Sequence, residues 1–316
     1  MTEFELIERF FSRPSPSAIL GNGDDCAVIA PSAGNAFAVT TDTLIEGRHF
    51  LPTLDPFKLG RRVVHVNMSD LAAMGAEPRF ALLSLTLPQI DEPWIAQFSR
   101  GLWSALDQFA VQLIGGNTTK GPLAIAITAF GELPPQAALK RSAARVGDEL
   151  WVSGPLGDAG WAMYALTGTK IEATPEQIAK YECPEARVSL GLALRGIASS
   201  CIDISDGLLS EAKHLATASN VAIEIDIAAI PTGLCQTSQH LRQHCLLSTG
   251  DAYELLFTAP RDEHDAVAAL LKRENLAGAC IGRVAAAQAG SRVRVRVLDE
   301  AAKVMDIELK GWDHFA

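Results

Sequence analysis

Residues 38–50, AVTTDTLIEGRHF, open as a short apolar strand and turn polar where Thr40, Thr41 and Asp42 arrive in succession. A strand delivers side chains alternately to its two faces, so Thr40 and Asp42 share one face. They stand towards the strand's C-terminal end, where open α/β sheets hold ligands. Hydroxyls beside a carboxylate make an all-oxygen set suited to a hard cation such as Mg²⁺. The same residues also read as a turn in which Thr and Asp side chains bond nearby backbone amides. The metal reading gains weight from carboxylates placed in similar settings further along the chain.

With 316 residues the chain has room for two domains, and 48% hydrophobic and 20% charged residues is an ordinary globular composition. No apolar run reaches membrane-spanning length, and the first residues read as an acidic helix, not a signal peptide. Six cysteines occur with no CxxC pair, which favours free thiols over a disulfide framework or structural zinc. A net charge of −10 argues against a nucleic-acid partner. An anionic substrate would need cations between itself and such a protein. The cytoplasm is the expected compartment, with no membrane partner.

Thr2 and Glu5 have capping-box spacing, and Phe4, Ile7 and Phe11 form the apolar stripe of a first helix. The run GNGDDC at 21–26 lacks the last glycine of a dinucleotide fingerprint and precedes an expected strand at 26–30, which excludes that motif. Asp25 either closes a turn or stands beside Asp42, if the two strands are neighbours. Asp55 and Pro56 start the next helix. It contains NMSDLAAMGA, where Asp70 among small and apolar residues is costly unless paired or metal-bound. A strand at 79–87 and a helix capped by Asp91 follow. A strand at 111–114 then leads into GGNTTKG, read as a glycine loop that lets amides approach phosphate, or as a plain turn. A strand at 123–130 completes an alternating α/β half.

Pro134-Pro135-Gln136 marks the expected boundary between domains 1–136 and 137–316. Beyond it come a strand at 149–153, a glycine-bearing loop at 154–158, and helices near 159–166 and 184–197. Then IDISDGLLSE opens a helix reaching about 218. Ser205 or Asp206 could cap that helix, but only one can, leaving Asp203 or Asp206 for other work. A strand follows at 221–227. His240, His244 and Cys245 have zinc-like spacing without a fourth ligand, and an exposed helix face is the better reading. GDAYELLF turns into a strand, residues 291–297 read as a half-exposed edge, and the chain ends on the aromatic KGWDHF.

In order and spacing, GDDCAVIA, TTDTLIEGRHF, NMSDLAAMGA, GGNTTKG, IDISDGLLSE, GDAYELLF and GWDHF resemble the thiamine-monophosphate kinase family. Aminoimidazole ribonucleotide synthetase and selenophosphate synthetase share the wider architecture without this combination of motifs. The resemblance implies an α/β amino-terminal domain that binds ATP and metal and pairs its sheet with a twin's in a homodimer. An α+β carboxy-terminal domain follows. It implies Mg²⁺-assisted, in-line transfer of a phosphoryl group from ATP to thiamine monophosphate, without a phosphoenzyme.

By motif, the implied ligands of several Mg²⁺ ions are Asp25, Thr40, Thr41, Asp42, Asp70, Asn117, Asp203 and Asp206, with Asp42, Asp70 and Asp206 central to catalysis. Gly116, Asn117, Arg141 and Ser205 would face the nucleotide. His49, Asp251 and Trp312 would face thiamine monophosphate, with Trp312 stacking on a ring and Asp251 balancing the thiazolium charge. Two positions depart from the family pattern: Asn117 stands where Asp is usual, and Ala252 deletes a carboxylate. Two other readings are a nucleotide- or thiamine-phosphate-binding relative with weakened catalysis, and a superfamily enzyme acting on another small substrate.

Overall fold

The computed structural model describes residues 2–234, 239–287 and 294–307. Its backbone divides into two compact units at Gln136/Ala137, with residues 72–75 grouping with the second. The first is α/β and the second α+β.

In the first unit, α1 (Glu3–Phe11) starts on the expected capping box: Thr2 Oγ1 accepts from Glu5 N–H and Glu5 Oε2 from Thr2 N–H. Its buried side chains are Leu6 and Phe11, whereas Phe4 is 80% exposed. Periodicity marks a face, not how far the partner surface runs beneath it. β1 (Ala36–Ile45), α2 (Pro56–Ala73), β2 (Glu77–Leu87), α3 (Glu92–Gln108), β3 (Gln112–Lys120) and β4 (Ala124–Leu133) follow. The sheet order is β1-β4-β2-β3, with β1 and β2 antiparallel to β4 and β3 parallel to β2. Ala81, Leu83, Leu85, Ile125, Ile127 and Ala129 turn one sheet face into core. Helices α2 and α3 meet backbone to backbone, since a Cβ on Gly101 would stand 1.9 Å from Phe57 O.

Two expectations fail here. Residues 26–30 form no strand; Val28 makes only an isolated bridge to Leu20. β1 is an edge with β4 as its sheet neighbour, so Asp25 is not on a strand beside Asp42. GGNTTK is not a loop but the body of β3. Gly116 has φ +153°, and a Cβ there would lie 1.8 Å from Leu83 O. The glycines let β3 close on β2 just past a register shift at Ala81/Leu82.

The second unit contains β5 (Glu149–Val152), α4 (Asp158–Leu166), α5 (Pro175–Glu182), α6 (Val188–Ala193), β6 (Ser200–Asp203), α7 (Leu208–Ser219) and β7 (Ala222–Asp226). It continues with α8 (Gln239–Leu247), β8 (Leu255–Ala259), α9 (His264–Arg273), β9 (Ala279–Ala285) and β10 (Val295–Leu298). The six strands order β10-β7-β9-β5-β8-β6, with β10 a half-buried edge parallel to β7. α7 packs across this sheet through Leu208, Leu209, Ala212, Leu215 and Ala216, all buried. The helix expected over 184–197 is confined to α6, and α5 precedes it unanticipated. His244 Nε2 lies 3.0 Å from Tyr164 Oη, while Cys245 is buried in the core.

Candidate active site

In the first unit the candidate residues gather where β1 meets α2. Thr40, Asp42 and Leu44 share the inner side of β1, and Thr40 Oγ1 donates to Asp70 Oδ2 at 2.5 Å. Asn67, one turn before Asp70, accepts the Asp42 amide on Oδ1 at 3.1 Å. Its Nδ2 donates to Val63 O at 2.9 Å, which fixes the amide's orientation. One helical turn therefore ties two carboxylate-bearing elements together, and NMSD contains both contacts. Thr41 points to the opposite face, where its hydroxyl meets Ile127 O at 3.2 Å and Thr128 Oγ1 at 3.0 Å.

Asn117 shares that opposite face, at the far edge of the sheet, in register with Ser84. Three strand spacings separate it from β1, roughly 14 Å. Asp25 is exposed, in a turn whose Asn22 Nδ2 donates to Leu113 O of β3 at 3.2 Å. Asp25 and Asn117 thus belong to the β3 side, Thr40, Asp42 and Asp70 to the β1 side. His49 closes the loop after β1: its Nδ1 accepts from Ile45 N–H at 3.0 Å, leaving Nε2 to carry the proton of the neutral ring. The buried Arg62 donates to His49 O at 3.2 Å.

The second unit brings Asp203, Ser205, Asp206 and Asp251 together at the β6–α7 turn, whereas the backbone of Arg141 stands at the opposite, C-terminal end of α7. Arg141 lies in a short 3₁₀ turn against α7 and β6, held by Ser219 Oγ donating to Arg141 O at 2.7 Å. The N-cap of α7 is Gly207, φ +120°, with no side-chain cap. Neither Ser205 nor Asp206 has the capping role the sequence allowed. Gly250 nests on this loop, since a Cβ there would meet Ser205 O at 2.2 Å. Asp251 N–H then donates to Ser205 O at 2.8 Å, and Tyr253 N–H to Ile204 O at 2.8 Å. The segments 203–206 and 250–254 are therefore joined backbone to backbone. Trp312 lies outside the described residues.

Four residues that sequence reasoning passed over stand near these segments, Asn67 in the first unit and the others in the second. Asn67 was legible only as part of its motif. Glu211, in the first turn of α7, is buried with Oε2 unpartnered. Burial, then the charges of Asp206 and Asp203, push its carboxyl up to about 9, although the Asp206 amide donates to it. Glu254 and Arg187 form a buried pair 67 residues apart in sequence, a separation that no local pattern discloses.

Among the described residues no three His, Cys, Asp or Glu side chains converge into a ready-made metal cage. The donors present are carboxylates, hydroxyls and an amide oxygen. That chemistry fits Mg²⁺, which takes one or two carboxylates and completes its shell with water and substrate phosphates.

Residues 23–133 match the family described as AIR synthase related protein, N-terminal domain, and residues 145–295 match its C-terminal domain. Two such domains in tandem define an AIR-synthase-related protein. Within that class, the thiamine-monophosphate kinase of Salmonella typhimurium is 39% identical over 327 residues, covering 99% of this chain and 98% of that protein. The chain belongs to the thiamine-monophosphate kinase family. The crystal structure of thiamine-monophosphate kinase from Stenotrophomonas maltophilia K279a is 38% identical, with a TM-score of 0.83 over 93% of this chain and 94% of that one. AaThiL complexed with AMPPCP and TMP is 30% identical, with a TM-score of 0.75 over 90% of this chain and 89% of that one.

Proposed function

We propose that this chain transfers the terminal phosphoryl group of ATP to the phosphate of thiamine monophosphate, giving thiamine diphosphate and ADP. The carrying observation is the hydrogen bond from Asp251 N–H to Ser205 O. It fixes the segment assigned to the acceptor against the segment assigned to the nucleotide. Direct in-line transfer needs that positioning, together with charge neutralisation, more than it needs a strong base. The acceptor phosphate is already ionised, so no general base is required. Relatives named thiamine-monophosphate kinase, and one complexed with AMPPCP and TMP, support the same reading.

Mg²⁺ ions would offset the repulsion between two phosphate-bearing substrates and an acidic protein of net charge −10. Asp42, Asp70, Asp203 and Asp206, with Thr40, are assigned to hold them. Asp25, Thr41 and Asn117 are assigned to further ions on the β3 side and outer face. Gly116, Arg141 and Ser205 are assigned to the nucleotide, and His49, Asp251 and Trp312 to thiamine monophosphate. In this scheme domain 1–136 binds ATP and metal, and domain 137–316 is the α+β domain that carries Asp203, Asp206 and Asp251.

Dimerisation through the outer sheet face is proposed on its apolar content, since Val39 and Ile45 are 58% and 42% exposed there. No helix among the described residues is long and apolar enough to cross a membrane. A cytoplasmic location suits a consumer of ATP.

A second reading, a binder with weak turnover, draws on Asn117 and Ala252. Ala252 packs against the apolar core of its unit, where a carboxylate would be costly. Titration with thiamine monophosphate in the presence of AMPPCP, followed by assay with ATP, separates the readings. Binding with turnover supports the kinase, binding without turnover the second reading, and no binding defeats both.

A further inference from the structure

The segment carrying Asp251 has a backbone that its own residues do not favour. Asp251 has φ +65° and Tyr253 φ +48°, both left-handed. Non-glycine residues hold such angles where their surroundings over-determine them. Part of that constraint is the backbone ladder to residues 204 and 205, completed by Ile204 N–H donating to Glu254 O at 2.8 Å. Another part is the side chain of Glu254, which lies between Tyr253 and β8 and is 1% exposed.

Arg187 grips this carboxylate with both arms of its fork, Nε to Oε2 at 2.8 Å and Nη2 to Oε1 at 2.5 Å. Ser153 Oγ donates to Oε2 at 2.5 Å and accepts from Leu255 N–H at 2.7 Å. Lys180 Nζ stands 3.9 Å from Oε1. Gly154 leaves the room required, because a Cβ there would lie 2.6 Å from Oε1. A buried ion pair of this kind adds little net stability over apolar packing of equal volume. A two-armed guanidinium–carboxylate contact does fix direction. Neither Arg187, Ser153 nor Glu254 has a place among the residues assigned to nucleotide, metal or acceptor.

We propose that Arg187, Ser153 and Glu254 form a clamp that holds residues 250–254, and with them Asp251, in register against residues 203–206. They are positioning residues for the acceptor. This rests on the reading of Asp251 as an acceptor-facing group.

Arg187→Lys keeps the charge and loses the fork, and Glu254→Gln keeps the shape and loses the charge. Hydrogen exchange on the ligand-free variants should show the Asp251 and Tyr253 amides exchanging roughly tenfold faster, with Leu256 to Thr258 of β8 nearly unchanged. Kinetics should then show KM for thiamine monophosphate raised roughly tenfold, with KM for ATP within about threefold of wild type. Unchanged exchange at 251 and 253, or acceleration spread evenly through β8, overturns the clamp. Faster exchange with an unchanged acceptor KM overturns its positioning role. A wild type that turns over no thiamine monophosphate removes the kinase reading and the acceptor role, while exchange still decides the clamp.

Discussion

Replacing Asp70 by Asn tests the β1–α2 site with little disturbance of packing. The amide keeps the shape of the carboxylate, so Thr40 can still donate from the position it holds 2.5 Å away. Loss of the charged partner weakens that bond, and folding stability should fall by about 1 kcal/mol. Catalysis should suffer far more, because the charge proposed to organise cations around the reacting phosphates is removed. Such groups supply ~3–4 kcal/mol in transition states, so kcat should fall on the order of a hundredfold or more. Thr40→Val should cost roughly tenfold if the hydroxyl serves to orient Asp70. The double variant Thr40→Val/Asp70→Asn should then be no slower than Asp70→Asn, since residues acting as one unit are not additive. The assay is ADP and thiamine diphosphate release at saturating ATP, acceptor and Mg²⁺, with a thermal melt alongside. Near-normal kcat for Asp70→Asn in folded protein refutes the assignment.

Asn117→Asp should lower the Mg²⁺ concentration for half-maximal rate, with a smaller change at saturation, because Mg²⁺ dehydrates reluctantly for neutral ligands. Superimposable Mg²⁺ titrations for variant and wild type would show that Asn117 serves only the strand. Val39→Asp with Ile45→Asp should shift the protein from dimer to monomer in sedimentation, and an unchanged dimer would move the interface off this face. Thiol labelling of folded protein should modify the exposed Cys26 and spare Cys245, whose buried thiol is pushed up to about 12. Equal labelling of both by peptide mapping would contradict that burial.

Where local chemistry decides structure, the sequence was readable. Asp91 caps α3 by accepting from Trp94 N–H at 3.2 Å, and Asp55 accepts from Lys58 N–H at 3.1 Å at the start of α2. The unanticipated α5 had a comparable signal: Thr174 and Gln177 form a capping box around Pro175. GGNTTK misled because glycine marks turns more often than close strand approach, and only the nearness of Leu83 O separates the two. Residues 26–30, CAVIA, are a short apolar run of the kind that fills a buried strand, but pairing depends on an available edge, which no local pattern encodes.

Alternation did place Thr40 and Asp42 together. The same alternation puts Thr41 on the other face, a consequence that the motif grouping overrode. The Glu254–Arg187 pair and the nesting of Gly250 on Ser205 arise from the order of the second sheet. They were beyond any reading of neighbouring residues.

The central claim is that a phosphate, not an alcohol, receives the phosphoryl group. Purified protein with ATP and Mg²⁺ is supplied in parallel with thiamine monophosphate and with free thiamine, and ADP and thiamine species are quantified together. The account predicts one thiamine diphosphate per ADP from the monophosphate, and no product from thiamine. ADP release with thiamine, and none with the monophosphate, would contradict it.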